Sequence, residues 1–309
     1  MATWSTLSPD DNRTMAASGL DPHLARRLAD VGLDPADFGE PGQAWRRLHS
    51  RFGRRVTLVD RYALEAVCRG VRPEQLDRNE RARLSREVLE VQYPGLEFTA
   101  SSGRPVADPI EVVAYRDTWV ASFGEWRKRL HSALGEAAVR IEHVGSTAVH
   151  GLPAKPIIDV QVSVRDMEEE ASYVPAIEEL GVSLRFREPE HRYFRPVGDE
   201  PRSVQIHVCT AGGEWEREHL LFRDYLRADP QTRGAYARLK QELGERYRDD
   251  RLAYNEGKTG FVLDTLDDAR AWAERTGWTL PPEGSGGSAR AGRAAAAQRE
   301  VDAGTAGEA

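Results

Sequence analysis

The chain has 309 residues, 40% of them apolar and 30% charged, enough for one large or two modest packed domains under a densely charged surface. A net charge of −7 supplies no broad basic field, which argues against a protein that coats nucleic acid. Cysteine is confined to Cys68 and Cys209, too few for a disulfide framework, and no run approaches the roughly 18 consecutive apolar residues of a membrane span.

Residues 1–19 are short, polar and unpatterned, and are expected to be disordered. They contain no basic region followed by an apolar run, so they do not read as a signal peptide, and the expected location is cytoplasmic. Residues 20–98 read as a small helical domain of unassigned role. Leu24, Leu28 and Val31 fall at helical spacing, as do Trp45, Leu48 and Phe52, and then Leu58, Tyr62 and Ala66. A densely charged helix follows, anchored by Leu76, Leu84, Val88 and Leu89. No catalytic signature occurs in this part. The stretch 99–109, TASSGRPVADP, reads as a linker.

The second domain is expected over 110–280. It opens with an amphipathic helix carrying Trp119, Phe123, Trp126, Leu130 and Leu134. Strands are expected at VRIEHVG, PIIDVQVSV, VSLRFRE and SVQIHVC. Three further helices follow, led by Leu220–Leu226, Tyr236–Tyr247 and Phe261–Trp272. From 281 to 309 the chain is a Gly/Ala-rich tail, again expected to be disordered.

One stretch carries chemistry: EHVGSTAVHGLPAKPIIDVQVSV, Glu142 to Val164. Gly145 lets backbone amides approach a ligand closely, and Ser146 adds a hydroxyl. Consecutive amides at such a turn make a concave anion site suited to phosphate. Further on, side-chain alternation in the strand places Asp159 and Gln161 on one face and Ile158, Val160 and Val162 on the other. The same rule applied to SVQIHV turns Val204, Ile206 and Val208 inward and Gln205 and His207 outward. If the two strands are neighbours, Asp159, Gln161 and His207 converge beside the Gly-Ser turn. A lone carboxylate in an apolar strand is otherwise costly to place. HRYFRP, with Arg192 and Arg195, forms a basic-aromatic cluster that could clamp phosphate, or is simply a solvated loop or hairpin. Lys155 and Lys258 could each reach a phosphate, although a surface lysine is the plainer reading.

The segment resembles the polymerase-β-like nucleotidyltransferase superfamily, whose signature is a hydrophobic residue, Gly, then Gly or Ser, and an Asp-x-Asp/Glu strand about a dozen residues later. More narrowly, EHVGSTAV..GLPAKPIID, HLLFRDYLRADPQTRGAYARLKQELGERY and AYNEGKTGFV look like the GrpB family, across roughly residues 108–275. The chain is also similar to the C-terminal domain fused to some bacterial dephospho-CoA kinases. The resemblance implies an α/β (α+β) fold, a nucleotidyltransferase-like mixed sheet flanked by helices. It also implies transfer of a nucleoside monophosphate from a nucleoside triphosphate to a small-molecule or protein acceptor. Gly145, Ser146 and Thr147 would then hold phosphate, and Asp159 would bind Mg2+ or Mn2+, with Gln161 and His207 at the remaining catalytic positions. The sequence departs from the superfamily pattern at Gln161, a neutral amide and a weak ligand for a hard cation. The alternative is a non-catalytic domain that binds a nucleotide or phosphate ester, or that supports a partner protein.

Overall fold

A computed structural model describes residues 20–99, 109–197 and 202–283. The ends expected to be disordered, 1–19 and all but the first residues of 281–309, and most of the 99–109 linker lie outside the described residues. In chain order the elements are helices α1 (Pro22–Asp30), α2 (Pro41–Phe52), α3 (Leu58–Cys68) and α4 (Arg78–Gln92), strand β1 (Glu97–Phe98), helix α5 (Thr118–Leu134), strands β2 (Ala138–Val144) and β3 (Ile158–Val164) and the short helix α6 (Val174–Glu178). Strands β4 (Val182–Glu188), β5 (His191–Pro196) and β6 (Val204–Thr210) follow, then helices α7 (Glu214–Ala228), α8 (Pro230–Arg246), α9 (Arg251–Glu256) and α10 (Thr259–Thr276). Among the described residues no helix is long and apolar enough to cross a membrane.

The chain divides into two compact units. One comprises the residues up to Pro94 with Leu239–Asp264, and the other Gly95–Arg238 with the residues from Thr265 onward. The sequence places 239–264 in the second domain, but polar bonds join this segment to the N-terminal helices. The Tyr62 hydroxyl donates to Asp250 at 3.2 Å and the Tyr93 hydroxyl to Glu256 at 2.7 Å. Arg55 pairs with Asp264 at 2.8 Å, and Arg246 with Glu74 at 2.7 Å. Capping boxes start two helices of this unit: Thr57 with Asp60 at α3, and Asp77 with Glu80 at α4.

The second unit is built on a six-stranded mixed sheet, ordered β1-β4-β5-β6-β3-β2. The β3–β6 pair is parallel and the others are antiparallel. One face is apolar. Ile158, Val160, Val162, Val204, Ile206 and Val208 pack there with Trp119, Phe123 and Leu130 of α5. Each such buried aliphatic side chain contributes about 1.5–3 kcal/mol, and this packing fixes the register of β3. A slip by one residue would drive Asp159 and Gln161 into that core and turn the valines out.

The other face is polar and is held against α7 by ion pairs. The Arg140 Nε and Nη2 atoms donate to both carboxylate oxygens of Glu216, at 2.7 and 2.8 Å. Ser163 Oγ donates to the same carboxylate. Two turns further along α7, the Arg223 Nη1 atom donates to Glu142 at 2.8 Å and to the His143 carbonyl at 3.0 Å. Glu216 and Glu142 have no exposed surface. Removing one partner of a buried pair strands the other charge in a desolvated site. Glu216→Ala is therefore expected to cost about 3–5 kcal/mol of unfolding free energy, read from the shift of a urea midpoint; a loss below about 1 kcal/mol would contradict the assignment.

Candidate functional site

Strand β2 ends at Val144, and the chain turns through Gly145 into a single 3-10 turn, Ser146–Ala148. Gly145 has φ +69°, a conformation that side-chain-bearing residues rarely adopt. A Cβ at this position would stand 2.2 Å from Asp159 Oδ2 and 2.9 Å from its Cγ. Val144 pairs with Asp159 across β2 and β3, so the glycine lies directly on the carboxylate. The turn's own backbone bonds run from the Ala148 amide to the Gly145 carbonyl and from the Val149 amide to the Ser146 carbonyl. They leave the Ser146 and Thr147 amides outside the turn's internal bonding.

The Asp159 side chain is 25% exposed, and its Oδ1 lies 3.6 Å from the Nε2 of His207, itself 16% exposed. The parallel β3–β6 pairing sets Asp159 opposite Gln205 and Gln161 opposite His207. The structure thus brings Gly145, Ser146, Asp159 and His207 together at one edge of the polar face. Gln161 lies deeper on that face. It is fully buried, its Nε2 donates to Ser163 Oγ at 3.4 Å, and its Oε1 has no hydrogen-bond partner among the described residues.

Other expected residues are placed differently. The Thr147 hydroxyl donates to the Ile157 carbonyl at 3.3 Å and so accepts from the His143 Nε2–H at 3.0 Å; its side chain braces the turn from within. Arg192 is turned away from Asp159. It pairs with Val208, whose side chain is in the core, so alternation turns its guanidinium to the face opposite Asp159. There it donates to Glu170 at 2.6 Å and Glu168 at 2.7 Å. Arg187 reaches the same Glu170. Arg195, three residues on, falls on the Asp159 face by alternation. Lys155 is half-buried in the loop before β3. Lys258 belongs to the other compact unit, where its ammonium lies 4.5 Å above the Tyr254 ring.

Reading the sequence missed two parts of the site. Tyr236, buried on α8, hydrogen-bonds the Ser146 side chain; burial raises its phenol pKa, and the Asp159 charge raises it further. It falls in a core-like helical stripe, so nothing in the sequence marked it. HRYFRP, open between loop and hairpin from sequence, is strand β5, hairpinned to β4. Alternation along it puts His191 and Tyr193 on the His207 face. His191 Nε2 and His207 Nδ1 are 2.9 Å apart, and His191 Nδ1 is 2.9 Å from Glu188 Oε2.

The donor set around Asp159 is one carboxylate, one imidazole and a sealed amide. Among the described residues no group of three or more His, Cys, Asp or Glu is placed to hold a metal ion. Cys209 shares the strand face of His207 but is buried, and burial pushes its thiol up to about 12. These residues do not fit the two-metal centre that the nucleotidyltransferase resemblance implies.

Residues 109–268 match the family described as GrpB protein, just over half of the chain. The chain belongs to the GrpB family. A UPF0157 protein of Streptomyces coelicolor is 41% identical to it over 161 residues, spanning 52% of this chain and 84% of that protein. A dephospho-CoA kinase of Mycolicibacterium paratuberculosis is 28% identical over 196 residues, and the chain spans 48% of that protein's length. Among solved structures, the conserved protein GrpB from Enterococcus faecalis is similar with a TM-score of 0.48 and 30% identity, over 52% of this chain and 99% of that one. The Gly145–Asp159 notch of this GrpB-family chain lies within the matched residues.

Burial also tunes the imidazoles. It pulls His143 down to about 3, an effect the Asp159 charge only partly offsets, and the ring stacks on Phe123. His191 is pulled down to about 4, with the Glu188 bond opposing. An unfolded histidine takes up its proton near pH 6.5. Between about 6.5 and the folded values the unfolded chain binds more protons, so stability must fall as pH drops through this window. His143→Gln is expected to reduce the slope of stability against pH by up to about 1.4 kcal/mol per pH unit between pH 4 and 6. Urea melts across that range measure it, and an unchanged slope would show that His143 charges freely in the folded state.

Proposed function

We propose that the C-terminal unit binds a nucleoside phosphate or a related phosphate ester, with the phosphate against the Gly145–Ser146 turn. The observation that carries this reading is the packing of Gly145 on Asp159. A residue with any side chain would collide with the carboxylate, so the glycine serves to bring backbone amides and an acid into one notch. The Ser146–Tyr236 hydroxyl pair adds one further donor beside those amides. The resemblance of the turn and strand to the nucleotidyltransferase signature favours a nucleotide among possible esters.

Nucleotidyl transfer to an acceptor is a second reading, favoured by the partly exposed pairing of Asp159 with His207. A carboxylate and an imidazole at the mouth of a phosphate site suit proton exchange with an acceptor. The donor set gives no ground for a two-metal step, so binding stands first.

Calorimetry of the full chain with ATP, GTP, CTP, UTP and inorganic phosphate, with and without magnesium or manganese, tests the proposal. At least one nucleotide is expected to bind, and Gly145→Ala should weaken it by about tenfold or more, as a side chain enters the notch. No binding under any of these conditions removes the proposal. Turnover by the native chain that Asp159→Ala abolishes would move the transfer reading to first place.

A further inference from the structure

A polar row crosses four adjacent strands on the α7 side of the sheet. In spatial order it runs Glu188 on β4, His191 on β5, His207 on β6 and Asp159 on β3. The separations are 2.9 Å from Glu188 Oε2 to His191 Nδ1, 2.9 Å from His191 Nε2 to His207 Nδ1, and 3.6 Å from His207 Nε2 to Asp159 Oδ1. Register supports the alignment, since Glu188 pairs with His191 and Tyr193 with His207. Trp215 of α7 stacks on His191 at 4.7 Å with the planes 14° apart, which holds that ring in place.

The direction of the hydrogen bonds along this row can be worked out. An ionised carboxylate only accepts, so His191 must carry its proton on Nδ1 to bond Glu188. His191 is buried, and burial keeps it neutral at physiological pH, so its Nε2 is an acceptor. The bond between the two rings then requires the proton on His207 Nδ1. A neutral His207 in that form has a bare lone pair on Nε2, and this lone pair faces the acceptor oxygens of Asp159. Two acceptors 3.6 Å apart repel each other unless a hydrogen-bond donor lies between or beside them.

We propose that Glu188 and His191 are positioning residues that lock His207 as its Nδ1–H tautomer, so that His207 Nε2 and Asp159 together receive a hydroxyl group of the bound ligand. The ligand half of this proposal rests on the phosphate-ester reading: the ester takes the turn through its phosphate and this pair through a hydroxyl. It narrows the substrate class to hydroxyl-bearing phosphate esters and gives His191, a residue with no other chemical task in the fold, a defined one.

The tautomer is tested by long-range 1H–15N correlation spectra of the full chain at pH about 8.5, where an ordinary imidazole is neutral. His207 is identified by the signals lost in His207→Gln. Its proton is expected on Nδ1, with Nε2 bare, and in His191→Phe, which keeps a ring against Trp215, the proton should move to Nε2. A native His207 protonated on Nε2 overturns the proposal outright, whether or not the variant folds. A proton that stays on Nδ1 in His191→Phe removes the positioning role of His191.

Calorimetry with glycerol 3-phosphate and with 1-propyl phosphate, which lacks the hydroxyls, tests the ligand half. The hydroxyl ester should bind about three- to tenfold more tightly, a preference that His191→Phe reduces to within about twofold. Equal binding by the native chain overturns the hydroxyl contact while the phosphate reading stands. Binding of neither ester by a chain that does bind a nucleotide overturns the hydroxyl contact alone, binding of neither ester and of no nucleotide overturns both, and the spectra still decide the tautomer.

Discussion

Helix α7 covers a sheet face whose buried side chains are largely charged or polar. The side chains that β2 and β3 present there include Arg140, Glu142, Gln161 and Ser163, all buried. Attachment therefore depends on the Arg140–Glu216 and Arg223–Glu142 pairs, with Ser163 and the Gly212 amide completing the bonding of Glu216. Such pairs add little net stability over a hydrophobic alternative, but they tolerate no misplacement. Sliding α7 along the sheet would separate both pairs, leaving Arg223 only Asp224 of its own helix. The helix is thus held in one position, and Trp215, one residue before Glu216, is held over His191. The geometry of the candidate site follows from that constraint.

Much of this was legible in the sequence because β3 and β6 follow the alternation rule without interruption. Val160 and Val162 point one way and Asp159 and Gln161 the other, and the same holds for Ile206 and Val208 against His207. The adjacency of the two strands, which the sequence could only pose as a condition, is met by their parallel pairing. What alternation does not report is depth. Gln161 and Asp159 share a face, yet the first is sealed beneath α7 and the second reaches solvent. Depth depends on where a distant helix ends, and two residues of one strand cannot reveal it.

Arg192 and His191 take different places for a related reason. Once HRYFRP is a strand, neighbouring residues must face opposite sides, and a cluster that looks uniform in sequence splits in two. Arg192 goes to Glu168 and Glu170 beside the core, and His191 goes to His207. Tyr236 was invisible for another reason: a buried tyrosine in a helical stripe has the same pattern whether its hydroxyl braces a core or meets Ser146. The segment 239–264 carries family-like motifs, yet its side chains bond to residues 188 and 163 positions earlier in the chain, a pairing that no local pattern encodes.

The parallel pairing of β3 with β6 has an outcome for how the protein is made. Parallel neighbours cannot be joined by a tight turn, and here the connection itself contains α6 and the β4–β5 hairpin, which supplies Glu188 and His191. The turn and Asp159 are synthesised early, but their imidazole partner arrives only when β6 inserts between strands already made. During synthesis a ribosome-bound chain stopped before Val204 would carry Gly145, Ser146 and Asp159 without His207. Assembly of the pocket is thereby tied to the slow, non-local closure of the sheet.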